Sequence, residues 1–484
     1  MTNDRSLAVA MTVVLGLAAC GDEEASAPAV PTTYQFESGF SAGESSVAYG
    51  EEVTRHLLAD AVATTLEELT AQIDSGAVTP AEDVIVASLD RYYGTDASGR
   101  AAAPILLTTT PSSSQLTFAD LPATSLADHM AGSDPATDFR DFSTGLVGWS
   151  DATLAMHGGD ITSPGGLMRA IFETVEANAI ARASGTMRPD PVSETGELPV
   201  EVTDSGVNLA ELTQQLLLTG VAYHQAADRY LDDEPADVGS GLYADNVAAV
   251  AGSPYTALEH EWDQAWGCFG AARDYGTFAV GDLVDGSPYQ DSDSNGSIDL
   301  TTEHSFKPAV YLARRDDGSA ASAPTSFAAR ADLAFRTGRS LIVAARGHAL
   351  TAAERDALRA QRDLILGAWE RGIAASIVHY LNGVLLQMEL AGTSGYEFGE
   401  HTGEWSEMKM FAVGLQFNPH SPILGRLVEL HGLLRDAPVL PTPSATPAEL
   451  DAYADDLRAA RALLGGVYGF NAANLGAEDG TGGW

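Results

Sequence analysis

Leu209, Leu212, Leu216, Tyr223 and Tyr230 recur at steps of three, four and seven residues. Side chains at that spacing share one face of a helix, and an apolar face of that kind is stable only when another helix covers it. A longer stretch opens with Thr351 and Glu354 in capping-box register and turns Leu358, Ile365, Trp369, Ile373, Ile377 and Val384 inward, with a break expected near Gly383. Thr79-Pro80-Ala81-Glu82 and Thr446-Pro447-Ala448-Glu449 each read as an N-cap, a proline at the first helical position and a glutamate at the third, so each predicts a helix start. The segments 98–120, 185–206, 233–242 and 281–300 are rich in polar, glycine or proline residues and read as loops. No series of alternating strands with tight turns recurs. The expected fold is mostly α: helical bundles with long polar loops, in halves of about 34–280 and 300–465.

The chain has 67 acidic against 26 basic residues, a net charge of −41, yet 45% of its residues are hydrophobic, which is too apolar for a disordered acidic chain. The acid excess repels phosphate backbones and excludes nucleic acid as a partner class, leaving cations as the natural ligands. Leu7 to Ala19 form an apolar run too short to span a membrane, and the run ends in Leu17-Ala18-Ala19-Cys20. That ending resembles the lipobox of bacterial lipoproteins. It predicts a signal peptide over 1–19, lipid on Cys20, a flexible acylated tether over 20–33 and a domain over 34–484. The location expected is an outer membrane or cell surface. The other cysteine, Cys268, has no partner for an internal disulfide.

Two blocks are dense in possible ligands. In Glu259-His260-Glu261-Trp262-Asp263-Gln264-Ala265-Trp266, a helix places His260 with Asp263 and Glu259 with Asp263 on shared faces, where imidazole and carboxylates suit a divalent or ferric ion. A buried histidine held by a carboxylate among tryptophans fits the same residues. His260-Glu261 begins like a zinc-protease motif, but Gln264 stands where its second histidine belongs. In the second block Glu397, Glu400, His401 and Glu404 read as a solvated acidic loop, since Gly395, Gly399 and Gly403 delay the helix to about Thr402. Glu407 and Lys409 read as a specific charge pairing. His260 and Asp263 are expected to meet Glu407 in a site walled by Trp262, Trp266 and Trp405.

Asp291-Ser292-Asp293-Ser294-Asn295-Gly296-Ser297-Ile298-Asp299 follows a calcium loop through its first nine positions. Oxygens come from Asp291, Asp293, Asn295, Ser297 and Asp299, and Gly296 takes the sharp turn. Thr302 stands where the final glutamate is expected and Glu303 follows one place late. A solvated Asx-rich turn is the alternative reading.

With the lipobox, Tyr34-Gln35-Phe36-Glu37, the Glu259–Gly270 block, the loop leading to Glu303-His304 and the Trp405–Pro419 block, the chain resembles an imelysin-related family of bacterial lipoproteins, a domain of unknown function. His260 stands at the family's histidine, Asp263 at its glutamate and Trp266-Gly267 near its tryptophan-glycine, while Leu258 replaces a glycine. The resemblance implies two packed helical bundles and a metal-binding accessory of iron acquisition with an outer-membrane uptake partner. A metal-dependent peptidase or hydrolase using His260, Glu261 and Asp263, and a structural interaction protein rigidified by calcium, are the other expectations.

Overall fold

A computed structural model describes residues 29–149, 162–234, 239–284, 286–316 and 323–484. Cys20, the signal segment and most of the tether fall outside the described residues. Among these, twelve α-helices form and extended pairing is reduced to isolated bridges, so the fold is mostly α.

The first group comprises α1 (Gly50–Asp74), α2 (Val84–Tyr93), α3 (Pro164–Ala183), α4 (Leu209–Leu217) and α5 (Ala257–Phe269). A short α6 (Val280–Val284) precedes the second group: α7 (Lys307–Asp316), α8 (Phe327–Ala344), α9 (Ala352–Glu389), α10 (Phe398–Gly414), α11 (Leu427–Leu434) and α12 (Pro447–Tyr468). At 38 residues, α9 is the axis, and α7, α8, α10 and α12 pack along it. Helix α1 gathers α2, α4 and α5. The two groups meet where α4 packs on α10 and α5 on α8, and one apolar core runs from Tyr34 to Trp484 through both.

Local chemistry explains the boundaries. Thr351 with Glu354 and Thr446 with Glu449 form the capping boxes that open α9 and α12. Helix α9 runs unbroken through Gly383, because burial of Leu381, Val384 and Leu385 around it outweighs the weak helix propensity of one glycine, whose missing side chain leaves room for the Glu404 carboxylate. Thr79-Pro80-Ala81-Glu82 starts no helix. Asp83 adopts a left-handed conformation, α2 begins at Val84, and Glu176 of α3 accepts the N–H groups of Asp83, Ile85 and Val86 at 2.9 to 3.1 Å. A carboxylate from another helix thus replaces the local cap. Helix α10 begins at Phe398, ahead of Thr402, so Glu400, His401 and Glu404 are helical and the acidic-loop reading is corrected. Burial of His401, Thr402 and Trp405 outweighs the weak propensity of Gly399 and Gly403.

Glu370, in the middle of α9, pins the second group. Its carboxylate accepts from the hydroxyls of Tyr223, Ser421 and Tyr468 and the amide of Asn418 at 2.5 to 2.8 Å. Four donors from three other segments make this buried carboxylate a structural knot.

Candidate functional site

The helix begun by α4 does not end at Leu217. It continues as two wide π-helical stretches, Leu218–Tyr223 and Gln225–Tyr230, with His224 between them. Wide turns of this kind are rare and gather at functional positions. They present His224, Asp228 and Tyr230 to a cavity of about 390 Å³. Helix α1 contributes Glu51, the irregular segment after α2 contributes Asp128, His129, Asp134 and Asp138, and α5 contributes Glu261 and Gln264.

At the wall of this cavity His224 Nε2 lies 3.2 Å from an Asp138 oxygen and 3.3 Å from an Asp228 oxygen. The three side chains are at most 5% exposed. Nε2 makes a directed hydrogen bond to neither carboxylate, and Nδ1 is also buried without a partner. Each carboxylate is fixed from behind: the Gly132 N–H donates to Asp138 at 2.8 Å and the Phe139 N–H to Asp228 at 3.0 Å. Phe142 and Phe417 stand edge-on to the imidazole and set its plane. Burial works against a charge on His224, but the two carboxylates outweigh it and raise its pKa.

One imidazole nitrogen and two carboxylate oxygens, all within 4.8 Å of one another, form a donor set that suits a borderline divalent or ferric ion. Three protein donors leave positions open toward the cavity. Elsewhere on the same cavity, burial pushes the Glu261 carboxyl up to about 7 although Arg229 pulls it down. Its Oε2 is buried without a partner.

The expected site at His260, Asp263 and Glu407 does not assemble. Asp263 accepts from Tyr34 Oη and Arg339 Nε, both at 2.8 Å. Glu259 accepts from Arg339 Nη1 at 2.9 Å, from Arg346, and from the Thr256 N–H. Arg339, Glu259 and Asp263 are all 0% exposed. The shared face predicted for 259 and 263 is real, and what it meets is a guanidinium. Arg339 stays charged, since the two carboxylates outweigh its burial. His260 is stacked on Tyr255, with Nδ1 3.2 Å from the Ala48 carbonyl. Glu407 lies on α10 and accepts from Gln215 Nε2 at 3.0 Å. Lys409 donates to the Arg435 carbonyl and faces Asp436, so it is not the partner of Glu407. Trp262 bonds the Phe335 carbonyl and Trp266 stacks on Tyr34, whereas Trp405 bonds Tyr453 in another part of the core.

In the Asp-rich loop, Asp291 and Asp293 gather with Glu303, the acid one place late. The N–H groups of Asn295 and Gly296 turn back onto Asp291 at 3.0 Å, and Gly296 takes a φ of +85° that favours glycine. Asp299 accepts from the Gln115 amide, and Asn295 gives its side-chain oxygen to Ser297 while its amide donates to Asp293 at 2.8 Å, so neither Asp299 nor Asn295 adds an oxygen to the group in this structure. Buried Ile298 anchors the loop through the Ser114 N–H.

His224 and Asp228 are one helical step apart in the sequence, but they lie off the apolar stripe of that stretch and nothing local marked them as ligands. Asp138 lies in an irregular segment and carried no signal.

Residues 160–393 match a family model described as a domain of unknown function, DUF4856. The match takes in His224, Asp228, the Glu259–Gly270 block and the Asp-rich loop, while Asp138 lies before it. No curated protein and no solved structure matches the chain.

Proposed function

We propose that this chain is a metal-binding protein whose working ion is held by Asp138, His224 and Asp228 at the wall of the acidic cavity. The observation that carries this reading is a buried imidazole nitrogen shared between two carboxylates that backbone N–H groups hold in place. A divalent transition metal or ferric ion satisfies all three at once, and the cavity gives it a path to solvent or to a further ligand. With lipid on Cys20 the ion would be presented at an outer-membrane or cell-surface location, in keeping with an accessory role in iron acquisition beside an uptake partner. An acyl mass on the peptide carrying Cys20, from protein extracted from membranes, tests that placement.

Protein purified without chelator should carry about one equivalent of a transition metal per chain, lost in Asp138→Asn and in His224→Ala. Metal analysis reads the stoichiometry, and melting in chelator shows that Asp138→Asn still folds. If wild type holds no metal and takes up zinc or ferrous ion only above about 10⁻⁴ M, the reading fails.

A second, weaker site is proposed at the loop of Asp291 and Asp293, favoured by the way Glu303 folds into it. The expected ion is calcium, at roughly 10⁻⁴ to 10⁻³ M, as in extracellular modules. Millimolar calcium should raise the melting temperature of wild type and leave that of Asp293→Asn unmoved. Equal shifts in both would reject it.

A further inference from the structure

Six of the side chains lining the cavity beside His224 are carboxylates, and a single one, Arg229, is cationic. Glu51, Asp128 and Asp134 are exposed, as Arg229 is, whereas Asp138 and Asp228 stand at the buried inner wall with His224. A cleft lined by one sign of charge focuses its field, so this one draws small cations inward and repels anions.

Hydrogen bonding sorts ligands in the same sense. Donors on the wall are engaged within the protein. Gln225 Nε2 donates to the His129 carbonyl at 3.2 Å and Gln264 Nε2 to Glu52 at 3.1 Å. The hydroxyls of Ser133 and Thr137 donate to the carbonyls of Asp128 and Asp134. The N–H groups of Gly132 and Phe139 hold Asp138 and Asp228.

Acceptors are what the wall leaves over. His129 Nδ1 lies 2.9 Å from the Ser125 carbonyl, which can only accept, so Nδ1 carries the proton and Nε2 the lone pair. Burial pushes the pKa of this ring down to about 4 and keeps Nε2 unprotonated. Glu261 Oε2 is buried without a partner on the same cavity, as are both nitrogens of His224. Such a surface fits a ligand whose outer face is made of donors. Water bound to a cation is that kind of ligand, because coordination turns both of its hydrogens outward. An anionic chelate presents carboxylate or catecholate oxygens instead, and these need donors that the described lining does not hold free.

We propose that the cavity admits its metal as a hydrated divalent cation, ferrous where iron is the cargo, and turns away anionic metal chelates. This rests on the Asp138–His224–Asp228 centre proposed above and specifies the form in which its ion arrives. Near neutral pH ferric ion stays in solution only as chelates, whereas divalent ions travel as aqua ions, so a wall that selects the aqua ion also selects the ferrous state. At the inner wall the ion exchanges bound waters for oxygens of Asp138 and Asp228 and for His224 Nε2. A proton on that nitrogen leaves to solvent, and no electron is transferred.

The test loads metal-free protein with Zn²⁺ in the presence of substitution-inert cobalt complexes, with uptake followed by a fluorescent zinc indicator. Hexaamminecobalt(III), a cation whose outer face is all N–H, should compete and slow loading as its concentration rises. Tris(oxalato)cobaltate(III), an anion faced with carboxylate oxygens, should not. Removing two rim charges in Glu51→Gln/Asp134→Asn should slow loading about threefold at low salt, a difference that disappears at about 0.5 M salt. In parallel, ferrous ion supplied without oxygen should fill about one equivalent, while ferric citrate should leave less than about a tenth as much iron after desalting, with no citrate retained. Iron retained together with citrate, or inhibition by the oxalato anion equal to that by the hexaammine cation, would overturn the proposal and leave the centre standing. A wild type that takes up neither zinc nor ferrous ion would remove the centre, and this proposal with it.

Discussion

Arg339→Ala should cost about 3–5 kcal/mol of unfolding free energy, the range for removing one partner of a buried ion pair. Two carboxylates depend on that guanidinium, Glu259 through Nη1 and Asp263 through Nε, and Nη2 donates to Ser46. None of the three charged side chains reaches water, so removal leaves Asp263 buried with no cation and Glu259 with one fewer. Arg346 still reaches Glu259, but Asp263 retains only Tyr34 Oη and the Ala48 N–H. Since whole proteins of ordinary stability hold only about 5–15 kcal/mol, the variant should unfold far earlier in urea or fail to accumulate. Arg339→Lys should recover little, because one ammonium cannot serve two carboxylates in the fork geometry. His260→Ala, at a partly exposed ring, should cost less than about 1 kcal/mol. All three are measured in chelator, so metal plays no part. A urea midpoint of Arg339→Ala equal to that of wild type would refute the structural role assigned to the Glu259–Asp263 face.

Relative to Glu404→Gln, the metal-free wild type should lose about 1 kcal/mol of stability between pH 6.5 and 8. Burial pushes the carboxyls of Glu261 and Glu404 up to about 7 and about 8. An acid raised in the fold contributes its full stability below its unfolded value, about 4.3, and loses it as pH rises through the folded value. The magnitude is discounted because both side chains keep partial access to water. The buried imidazoles of His56, His129, His304, His379 and His401, all pushed down by burial to about 4, carry the opposite sign. At pH 6.5 half of the unfolded imidazoles still hold a proton, so up to about pH 8 these residues raise stability and mask the carboxyl loss in wild type alone, whereas they act equally in Glu404→Gln and cancel from the difference. Burial also lowers Lys409 to about 8. Above that pH the folded chain sheds this proton while the unfolded chain keeps it, and stability rises again. Urea midpoints of wild type and Glu404→Gln at pH 6.5 and 8 read that difference, from which Lys409 also cancels. A difference between the two proteins that stays constant from pH 6.5 to 8 would mean that the Glu404 carboxyl is ionised in the fold.

The helices were legible because the apolar spacing and two of the three proposed caps are local signals. Thr351 and Thr446 act through residues three places on, within reach of any single-sequence reading. The cap of α2 escaped because its carboxylate, Glu176, comes from a helix about ninety residues later. The Glu259–Gly270 block was correctly marked as exceptional, and the spacing placed both acids on one face. Whether that face meets an ion or a guanidinium depends on Arg339, which nothing in its own neighbourhood distinguishes from the other arginines. Gly338 beside it is the trace that could be read afterwards, since Trp262 occupies the place of its missing side chain. The Asp-rich loop was readable because its geometry is encoded in consecutive residues, and Glu303 was noticed only as a misplaced acid. Asp138 could not be read at all, because a loop residue acquires meaning only from what the fold carries to it.

The wide turns around His224 also bear on heredity. A π-helical stretch holds one residue more than an α-helix closing the same hydrogen-bonded turns, and each α-helical residue turns the chain by about 100°. Losing a single codon between His224 and Asp228 would let the helix rewind to the ordinary ladder and leave the two residues three places apart, about 60° round its axis from each other, which takes the Asp228 carboxylate off its present line to the imidazole while the apolar stripe beyond keeps its register. A descendant with that deletion could keep the bundle and forfeit the ion, so the surplus residue, more than any one ligand, is where ancestry would record the gain or loss of this centre.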